Sequence, residues 1–433
     1  MTEQKTVAFH TLGCKLNFSE TSTIARLFSE RGYKRIDFNE QADVYVINTC
    51  SVTEVADKKC RYFINKAIHT SPNAFVVVVG CYSQLQPEKI SEIHGVDLIL
   101  GTQDKFRLVN FLEDIEKRDV PIIHNCHIED VHRFDSAYSL GGRTRSFLKI
   151  QDGCDYPCTY CTIPLARGNS RNDTIENVIK NANEIASKGF KEIVLTGVNI
   201  GDFGRTNDEN FFDLLKQLDN VDGIERYRIS SIEPNLLTDE IICFVAQSKK
   251  FLPHFHVPLQ SGSDKILALM QRRYNCKKFE DRILSIKNIL PDAFIGIDIM
   301  VGFPGETNID FEDSYNFIDR LDISFLHVFT YSERPNTKAT DFVEKVSHAE
   351  KEKRSKMLHQ LSEKKHRAFY EKHLNTTAKV LFESQKIGDF MFGFTGNYIK
   401  VQHQYNSALV NNIVNVRLIK ILENTNVFGE IVQ

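Results

Sequence analysis

Apolar and polar positions alternate along this chain in three successive styles. Through the first third, short unbroken apolar runs at 6–10, 44–48, 75–79 and 96–100 are separated by stretches with helical spacing. Unbroken runs of this length suit strands, and strand, helix, strand in succession predicts a parallel, doubly wound sheet. The helix after the first run is expected to start behind Ser19 and to end at Gly32, where glycine supplies a left-handed cap. Farther on the alternation resumes, with candidate strands at 146–151, 192–196, 227–231, 254–259, 294–301 and 325–331. Six strand–helix units predict a partial (β/α)6 barrel of parallel strands, open on one side. A long polar helix over 349–373 follows, and then period-two patterns at 378–383, 389–394, 398–402 and 415–422, with Gly388, Gly393 and Gly396 at the expected bends. These predict a small β-barrel. The chain is thus expected to be α/β overall, with domains at 1–141, 142–372 and 373–433.

Composition changes this picture little. With 433 residues, a formal net charge of -3, 42% hydrophobic and 26% charged residues, the chain is ordinary for a globular protein, and its total charge names no partner. Any nucleic-acid contact must come from local patches. The opening residues, MTEQKTVAFH, lack a basic region followed by a long apolar stretch, and the most apolar run, 75–79, is too short to cross a bilayer. No membrane partner and a cytoplasmic location are therefore expected. Ten cysteines without a secretion signal point to reduced thiols, used as ligands or buried, rather than to disulfides.

Two sets of those cysteines carry chemistry. Cys154, Cys158 and Cys161 stand at i, i+4 and i+7, which on a helix would form one apolar stripe. Gly153 just before them and Pro157 among them argue for a loop, because an interior proline costs a helix about 3 kcal/mol. Three thiols in one loop can wrap one metal centre. Structural zinc would need a fourth ligand at similar spacing, and Cys126 and Cys243 are far away in sequence. An iron–sulfur cube held by three thiolates keeps one iron open to a small molecule, which suits catalysis.

The second set is dispersed. The first three apolar runs stop at Gly13-Cys14, Asn48-Thr49-Cys50 and Gly80-Cys81. In an open parallel sheet the carboxyl ends share one edge, so Cys14, Cys50 and Cys81 are expected to converge as another three-thiolate site. Cys60 and Cys276 lack that placement, Cys243 is expected to pack in the core, and Cys126 is not expected to bind metal. Around the barrel mouth, Thr196-Gly197-Val198-Asn199, Ser230-Ser231-Ile232-Glu233, Pro258-Leu259-Gln260-Ser261-Gly262 and Gly302-Phe303-Pro304-Gly305-Glu306 together outline a pocket.

The spacing Cys154-x3-Cys158-x2-Cys161, with Tyr160 before the last cysteine, resembles the cluster loop of radical S-adenosylmethionine (SAM) enzymes. That resemblance implies a central radical-SAM barrel in which a 4Fe-4S cluster on these cysteines chelates the amino and carboxylate groups of SAM. Reduction then cleaves SAM to a 5′-deoxyadenosyl radical. The turn of Thr196, Gly197 and Asn199, and Gln260, Ser261 and Arg273 are similar to positions that hold the cofactor in relatives, and Tyr160 of the cluster loop and Glu233 of the strand-end pocket are further candidate cofactor contacts. A narrower resemblance covers essentially the whole chain. Gly13-Cys14-Lys15-Leu16-Asn17, Asn48-Thr49-Cys50, Gly80-Cys81, Thr162-Ile163-Pro164-Leu165-Ala166-Arg167-Gly168 and His256-Val257-Pro258-Leu259-Gln260-Ser261-Gly262-Ser263 look like the methylthiotransferases. In that family the first three cysteines hold an auxiliary 4Fe-4S cluster, and SAM is used twice, once to methylate a sulfur and once to make the radical.

The last strands resemble the TRAM module, an RNA-binding barrel, with Phe390, Phe392, Phe394 and Tyr398 as candidates to stack bases. The helix at 349–373 reads either as a solvated face with its own ion pairs or as a phosphate-facing surface. Among three branches of the family, the motifs at Gly13 to Asn17, at Val46 to Thr53 with Ala56-Asp57-Lys58-Lys59, and at Cys154 to Cys158 look most like the one acting on threonylcarbamoyladenosine in tRNA. This implies tRNA, through its anticodon loop, as substrate, with methylthiolation at C2 of adenosine 37. It also implies an electron donor such as flavodoxin or ferredoxin, and no role for DNA. A single-stranded loop base can be splayed into the barrel mouth. Isopentenyladenosine in tRNA or a ribosomal-protein aspartate are the alternative substrates. From a different class, an RNA-binding iron–sulfur redox sensor is a further alternative, against which the open coordination at both expected clusters argues.

Overall fold

Valine- and isoleucine-rich runs bury both their faces in the first part of the chain, and the sheet they form is parallel throughout. The computed structural model describes residues 4–112, 116–141 and 143–432. Met1, Gly142 and Gln433, which bound the expected domains, lie outside the described residues. The elements are β1 (Thr6–Thr11), α1 (Lys15–Glu30), β2 (Lys34–Ile36), β3 (Val44–Thr49), α2 (Glu54–Thr70), β4 (Phe75–Gly80), α3 (Cys81–Leu85), α4 (Pro87–Ser91), β5 (Leu98–Leu100) and β6 (Ile122–His124). Strand order is β2-β1-β3-β4-β5-β6, so β1, β3 and β4 are adjacent. Every residue of β3 and β4 is buried, which is what unbroken apolar runs in a sheet covered on both faces require. The sequence reading missed β2 and β6. Both are three-residue edge strands, largely solvent-facing, with no apolar run to betray them.

A parallel half-barrel follows, made of β7 (Ala137–Tyr138), β8 (Ser146–Lys149), β9 (Gln151–Asp152), α5 (Ile163–Arg167), β10 (Arg171–Asn172), α6 (Ile175–Ser187), β11 (Glu192–Thr196), α7 (Phe211–Asp219), β12 (Arg226–Ile229), α8 (Asp239–Gln247), β13 (His254–His256), α9 (Asp264–Leu269), α10 (Cys276–Ile289), β14 (Phe294–Val301), α11 (Asn308–Arg320) and β15 (Phe325–Thr330). One sheet runs β12-β11-β8-β7 and another β13-β14-β15, joined by the bridges Tyr227 to Phe251 and Ser231 to His256, while β9 and β10 form a separate antiparallel pair. β7 falls within the stretch assigned to the first domain but pairs antiparallel with β8. β13 is shorter than expected, although the Val257 and Leu259 N–H groups still donate to the Gly296 and Asp298 carbonyls of β14.

Period two decides what each barrel strand shows. Leu148, Ile193, Leu195, Tyr227, Ile229, Phe255, Ile295 and Ile297 point to the helices and form the main core. The alternate positions turn inward. They include Lys149, Glu192, Arg226, Arg228, His254, His256, Asp298 and His327, so the concave face is polar rather than filled by aliphatic layers.

Helix α12 (His348–Lys372) packs back on the half-barrel and leads to β16 (Thr377–Ile387), β17 (Phe390–Thr395), β18 (Lys400–Gln404), β19 (Ile413–Ile421) and β20 (Val427–Ile431). These close a small barrel in the order β16-β17-β18-β20-β19. β20 was missed, and Gly393, expected at a bend, lies inside β17. Most cations of α12 are engaged: Lys353 by Glu350, Arg354 by Glu306 and Glu350, Lys364 by Asp319, Lys365 by the Asp319 and Leu321 carbonyls, Arg367 by Glu371 and Lys372 by Asp292. This favours the paired-face reading of that helix. Among the described residues no helix is long and apolar enough to cross a membrane.

Candidate functional site

The strand-end cysteines are delivered by two glycines that nothing else could replace. Gly13 and Gly80 have φ of +99° and +104°, and a Cβ on either would fall 2.7 Å from Cys50 Cβ or 2.5 Å from the Thr49 carbonyl. Cys14 then caps α1, which begins at Lys15 rather than behind Ser19 as the sequence suggested. Ser19 is already inside the helix, donating its hydroxyl to the Leu16 carbonyl. Asn17 explains the early start: its side-chain amide donates to the carbonyls of Leu12 (2.7 Å) and Thr49 (2.9 Å), tying the turns that carry Cys14 and Cys50. Burial, followed by neighbouring thiols, pushes the Cys50 thiol up to about 12. Burial likewise raises Cys81, against the opposing charge of Arg167.

The loop triad is held by its own backbone. Cys154 Sγ accepts from the Tyr156 N–H and Cys161 Sγ from the Ile163 N–H, each at 3.4 Å. Arg272, in the turn before α10, donates to Cys158 Sγ at 3.0 Å and grips the Glu233 carboxylate. Burial pushes Cys154 and Cys161 up to about 12, so they remain thiols until a cation displaces the proton. Donors aimed at sulfur and a guanidinium beside it favour the thiolate form once that happens, which fits a thiolate-held cluster. Among the described residues no three or more His, Cys, Asp and Glu side chains are arranged to hold a single metal ion.

Other expected residues separate. Thr196 and Gly197 line the concave cavity, with the Thr196 hydroxyl donating to the Leu148 carbonyl. Asn199 donates to Asp202 while its buried Oδ1 lacks a partner, an acceptor available to a ligand's amino group. Gln260 holds φ of +69°, and with Tyr160 and Cys161 it lines a small cavity of about 160 Å³. Ser261 is buried in its turn and accepts from the Ser263 N–H. Arg273 points outward, stacking on Tyr156 and donating to the Asp155 carbonyl. Its neighbour Arg272 faces the thiols instead, and sequence gave no signal to choose between the two. Cys243, expected in the core, is exposed: α8 buries Ile241, Ile242 and Val245, and an unbroken apolar run cannot all face one side of a helix.

Residues that follow one triad share a cavity with a cysteine of the other. Val52 and Thr53, just after Cys50, line the small cavity with Cys161. A larger cavity of about 890 Å³ fills the half-barrel, bounded by Cys14 and Lys15 of the first unit, by Thr196, Gly197, His254 and His327 of the second, and by Phe394 and Tyr398 of the terminal barrel. Phe390, Phe392 and Phe394 lie on the outer face of β17, while Met391 fills the barrel core. Burial, aided by Arg228 and Lys15, lowers the His254 imidazole well below its usual range. The Ser230 hydroxyl, also at this cavity, has no partner.

Buried charge joins the units beside Cys14 and Cys81. Glu20 is met by Lys105 (2.7 Å), Lys149 (3.2 Å) and Arg167 (3.0 Å), and Asp152 by Lys149 (2.8 Å), Arg167 (2.9 Å) and Arg171 (3.3 Å). Despite their burial, Arg167 and its neighbouring cations hold both carboxyls well below the usual range. Four cations against two carboxylates leave this buried network positive. On the opposite side Arg334 clamps Ser51 and Asp57, each at 2.7 Å. The sequence quoted Asp57 only as part of a motif, and the structure gives it this partner.

Residues 6–101 match the model of the uncharacterized protein family UPF0004, and residues 148–318 that of the radical SAM superfamily. The chain is 41% identical to threonylcarbamoyladenosine tRNA methylthiotransferase MtaB of Bacillus subtilis, over 96% of this chain and 94% of that one. It is 37% identical to the protein of the same name from Aquifex aeolicus, over 92% and 96%. Identity to tRNA-2-methylthio-N(6)-dimethylallyladenosine synthase of Clostridium botulinum is 32%, over 95% and 93%. The radical S-adenosylmethionine methyltransferase TsrM from Kitasatospora setae has a similar fold, with a TM-score of 0.55 at 14% identity, over 78% of this chain and 77% of that one.

Proposed function

Because this chain belongs to the radical SAM methylthiotransferases, in the branch that acts on threonylcarbamoyladenosine of tRNA, we propose that its two thiol triads serve the two halves of that reaction. The chain is an enzyme of tRNA modification, and its family brings SAM and a [4Fe-4S] cluster. When bound, SAM and the clusters supply the adenosyl radical and the methylated sulfur that replaces a hydrogen on C2 of adenosine 37, with SAM used twice per turnover. In this reading Cys154, Cys158 and Cys161 hold the cluster that binds SAM, and Cys14, Cys50 and Cys81 hold an auxiliary cluster.

The protein's own residues fix positions and charge. Arg272 offsets negative charge at Cys158, and Glu233 positions Arg272. Thr196 and Gly197, which line the large cavity, and Asn199, whose buried Oδ1 has no partner, would hold SAM, and Gln260 lines the small cavity with Cys161. Support for the auxiliary cluster comes from the surplus positive charge of the Arg167 network, which acts on Cys81 and Cys14 and would favour their thiolate forms. The cavity of about 890 Å³ is ample for a splayed base, and Phe394 and Tyr398 offer it aromatic faces. The closed terminal barrel acts in this reading as a TRAM-like RNA-binding unit, and a flavodoxin- or ferredoxin-like protein supplies electrons.

One observation carries the reading: Cys14 and the strand-end residues Thr196 and Gly197 line a single cavity, as chemistry on one substrate carbon demands. Mass spectrometry of tRNA nucleosides tests it. In cells lacking the chain, methylthio-threonylcarbamoyladenosine is expected to disappear, and to return when the gene is restored. Disappearance of the dimethylallyladenosine derivative instead would move the substrate to the branch represented by the Clostridium relatives. If neither nucleoside changes, the tRNA assignment fails.

A further inference from the structure

Beside the large cavity, and sharing Gly13, Cys14, Lys15 and Tyr398 with it, lies a side pocket of about 210 Å³. Lys15, Arg143, Arg145 and Arg228 reach it, Phe18 and Phe147 form apolar walls, and no acidic residue lines it. The four cations are not equivalent. Arg228 is committed to Glu192 at 3.1 Å and to the carbonyls of Thr395 and Gly396, and Arg145 to Glu383 at 3.0 Å. Lys15 and Arg143 have no hydrogen bond or ion pair among the described residues; Arg143 only rests on the rings of Phe18 and Phe147. Lys15 follows Cys14 directly, is exposed, and lines both cavities. Tyr398 stands between the cavities with φ of +65°, a conformation that bulky side chains rarely adopt without a functional demand. Its ring lies 4.6 Å from the Arg228 guanidinium and stacks on Phe394.

A small, positive, partly aromatic pocket opening off a base-sized cavity suits an anionic group attached to the base rather than a backbone phosphate. Resting on the proposed function above, we infer that this pocket binds the carboxylate of the threonylcarbamoyl group through Lys15 and Arg143, with Phe18 and Phe147 against the threonine methyl. Arg145 and Arg228, paired with Glu383 and Glu192, form the pocket wall and leave its unpaired charge to Lys15 and Arg143. The pocket thereby distinguishes this substrate from a dimethylallyl group, which carries no charge and offers neither cation an anionic partner.

The test uses the full chain and three anticodon stem-loop RNAs that differ at one nucleoside: threonylcarbamoyladenosine, its carboxamide analogue, and unmodified adenosine. By fluorescence anisotropy, wild type is expected to bind the acid about tenfold to a hundredfold more tightly than the amide, the range of charge-assisted hydrogen bonds. Lys15→Met should remove most of that preference, and Lys15→Met with Arg143→Gln should bring it within about twofold while affinity for the amide RNA holds. Lys15→Arg should keep the preference. Equal weakening of all three RNAs would make the pocket a backbone-phosphate site, and an undiminished preference in the double variant would empty it of this role; either overturns the inference. Turnover separates the two levels. Methylthiolation of the acid RNA by a wild type that binds acid and amide alike sinks this assignment and leaves the function standing. Turnover of dimethylallyladenosine RNA alone sinks both.

Discussion

Cys154, Cys158 and Cys161 leave one loop between β9 and α5, and most of what serves them is equally close: the Tyr156 N–H of the same loop, the first N–H of α5 and Arg272 from one facing turn. Cys14, Cys50 and Cys81 come from three strand ends, and their surroundings come from two units. Asn17, Glu20 and Lys105 stand on one side, with Lys149, Asp152, Arg167 and Arg334 on the other. A short segment can nearly assemble the first site. The second exists only while the sheet order and the interface between units hold, so substitutions far from its thiols reach it.

Emptying the triads one at a time should divide the chemistry most sharply. In Cys154→Ala, formation of 5′-deoxyadenosine from SAM is expected to fall to background. In Cys50→Ala it should persist while methylthiolated product is lost, both products being read by chromatography of one reaction. Loss of both in a Cys50→Ala chain with a native circular dichroism spectrum would erase the division.

Arg167→Met comes next. It takes a buried guanidinium from two buried carboxylates, which costs about 3–5 kcal/mol when a buried pair is broken, read as a lower urea midpoint. In a background without the loop cysteines the same change should lower bound iron; in a background without the strand-end cysteines iron should hold. Equal iron losses in both would mean that the network serves the fold as a whole.

Arg272→Gln is the counterpart at the loop. It leaves Glu233 buried without its cation, and 5′-deoxyadenosine formation is expected to drop about 10-fold to 100-fold, the range for groups that hold metal ligands in place. Iron at the strand-end triad should not move, and if it does, the two sites share more than the comparison allows.

The smallest effect is acidic. Although His327 is exposed in the cavity wall, desolvation there, and then His256, lowers its imidazole to about 4 from 6.5. The unfolded chain therefore takes up a proton first, and this contribution to stability, full above pH 6.5, is lost as pH falls from 6.5 towards 4. Thermal melts at pH 5 and pH 7 should differ less in His327→Phe than in wild type, and an unchanged difference would remove His327 from the account.

The same contrast governs what could be read from sequence. The loop triad was visible because spacing within one segment limits its geometry, and Pro157 ruled out the helix. The strand-end triad was visible because a parallel sheet puts its strand ends on one edge, although residue patterns alone do not give the order that makes β1, β3 and β4 neighbours. Arg272, Lys15, His254 and His327 were not singled out for the cavity. Their partners lie on other strands, and alternation along a strand does not say that its inner face stays open. Arg273 was named where Arg272 reaches sulfur, since adjacent residues in a turn diverge according to packing that no local pattern records.

Helix α5 spans only Ile163–Arg167, directly behind Cys161, and Arg167 at its end reaches Glu20 and Asn17 of the other unit. Spacing here matters more than identity. One residue inserted between Cys161 and Arg167 would swing that arginine by about 100° around the helix axis and shift it by about 1.5 Å. Descendants of this chain are therefore free to exchange the apolar residues of that turn but not to lengthen or shorten it, and a fixed interval between the third loop cysteine and its arginine becomes a ruler by which insertions are weeded out.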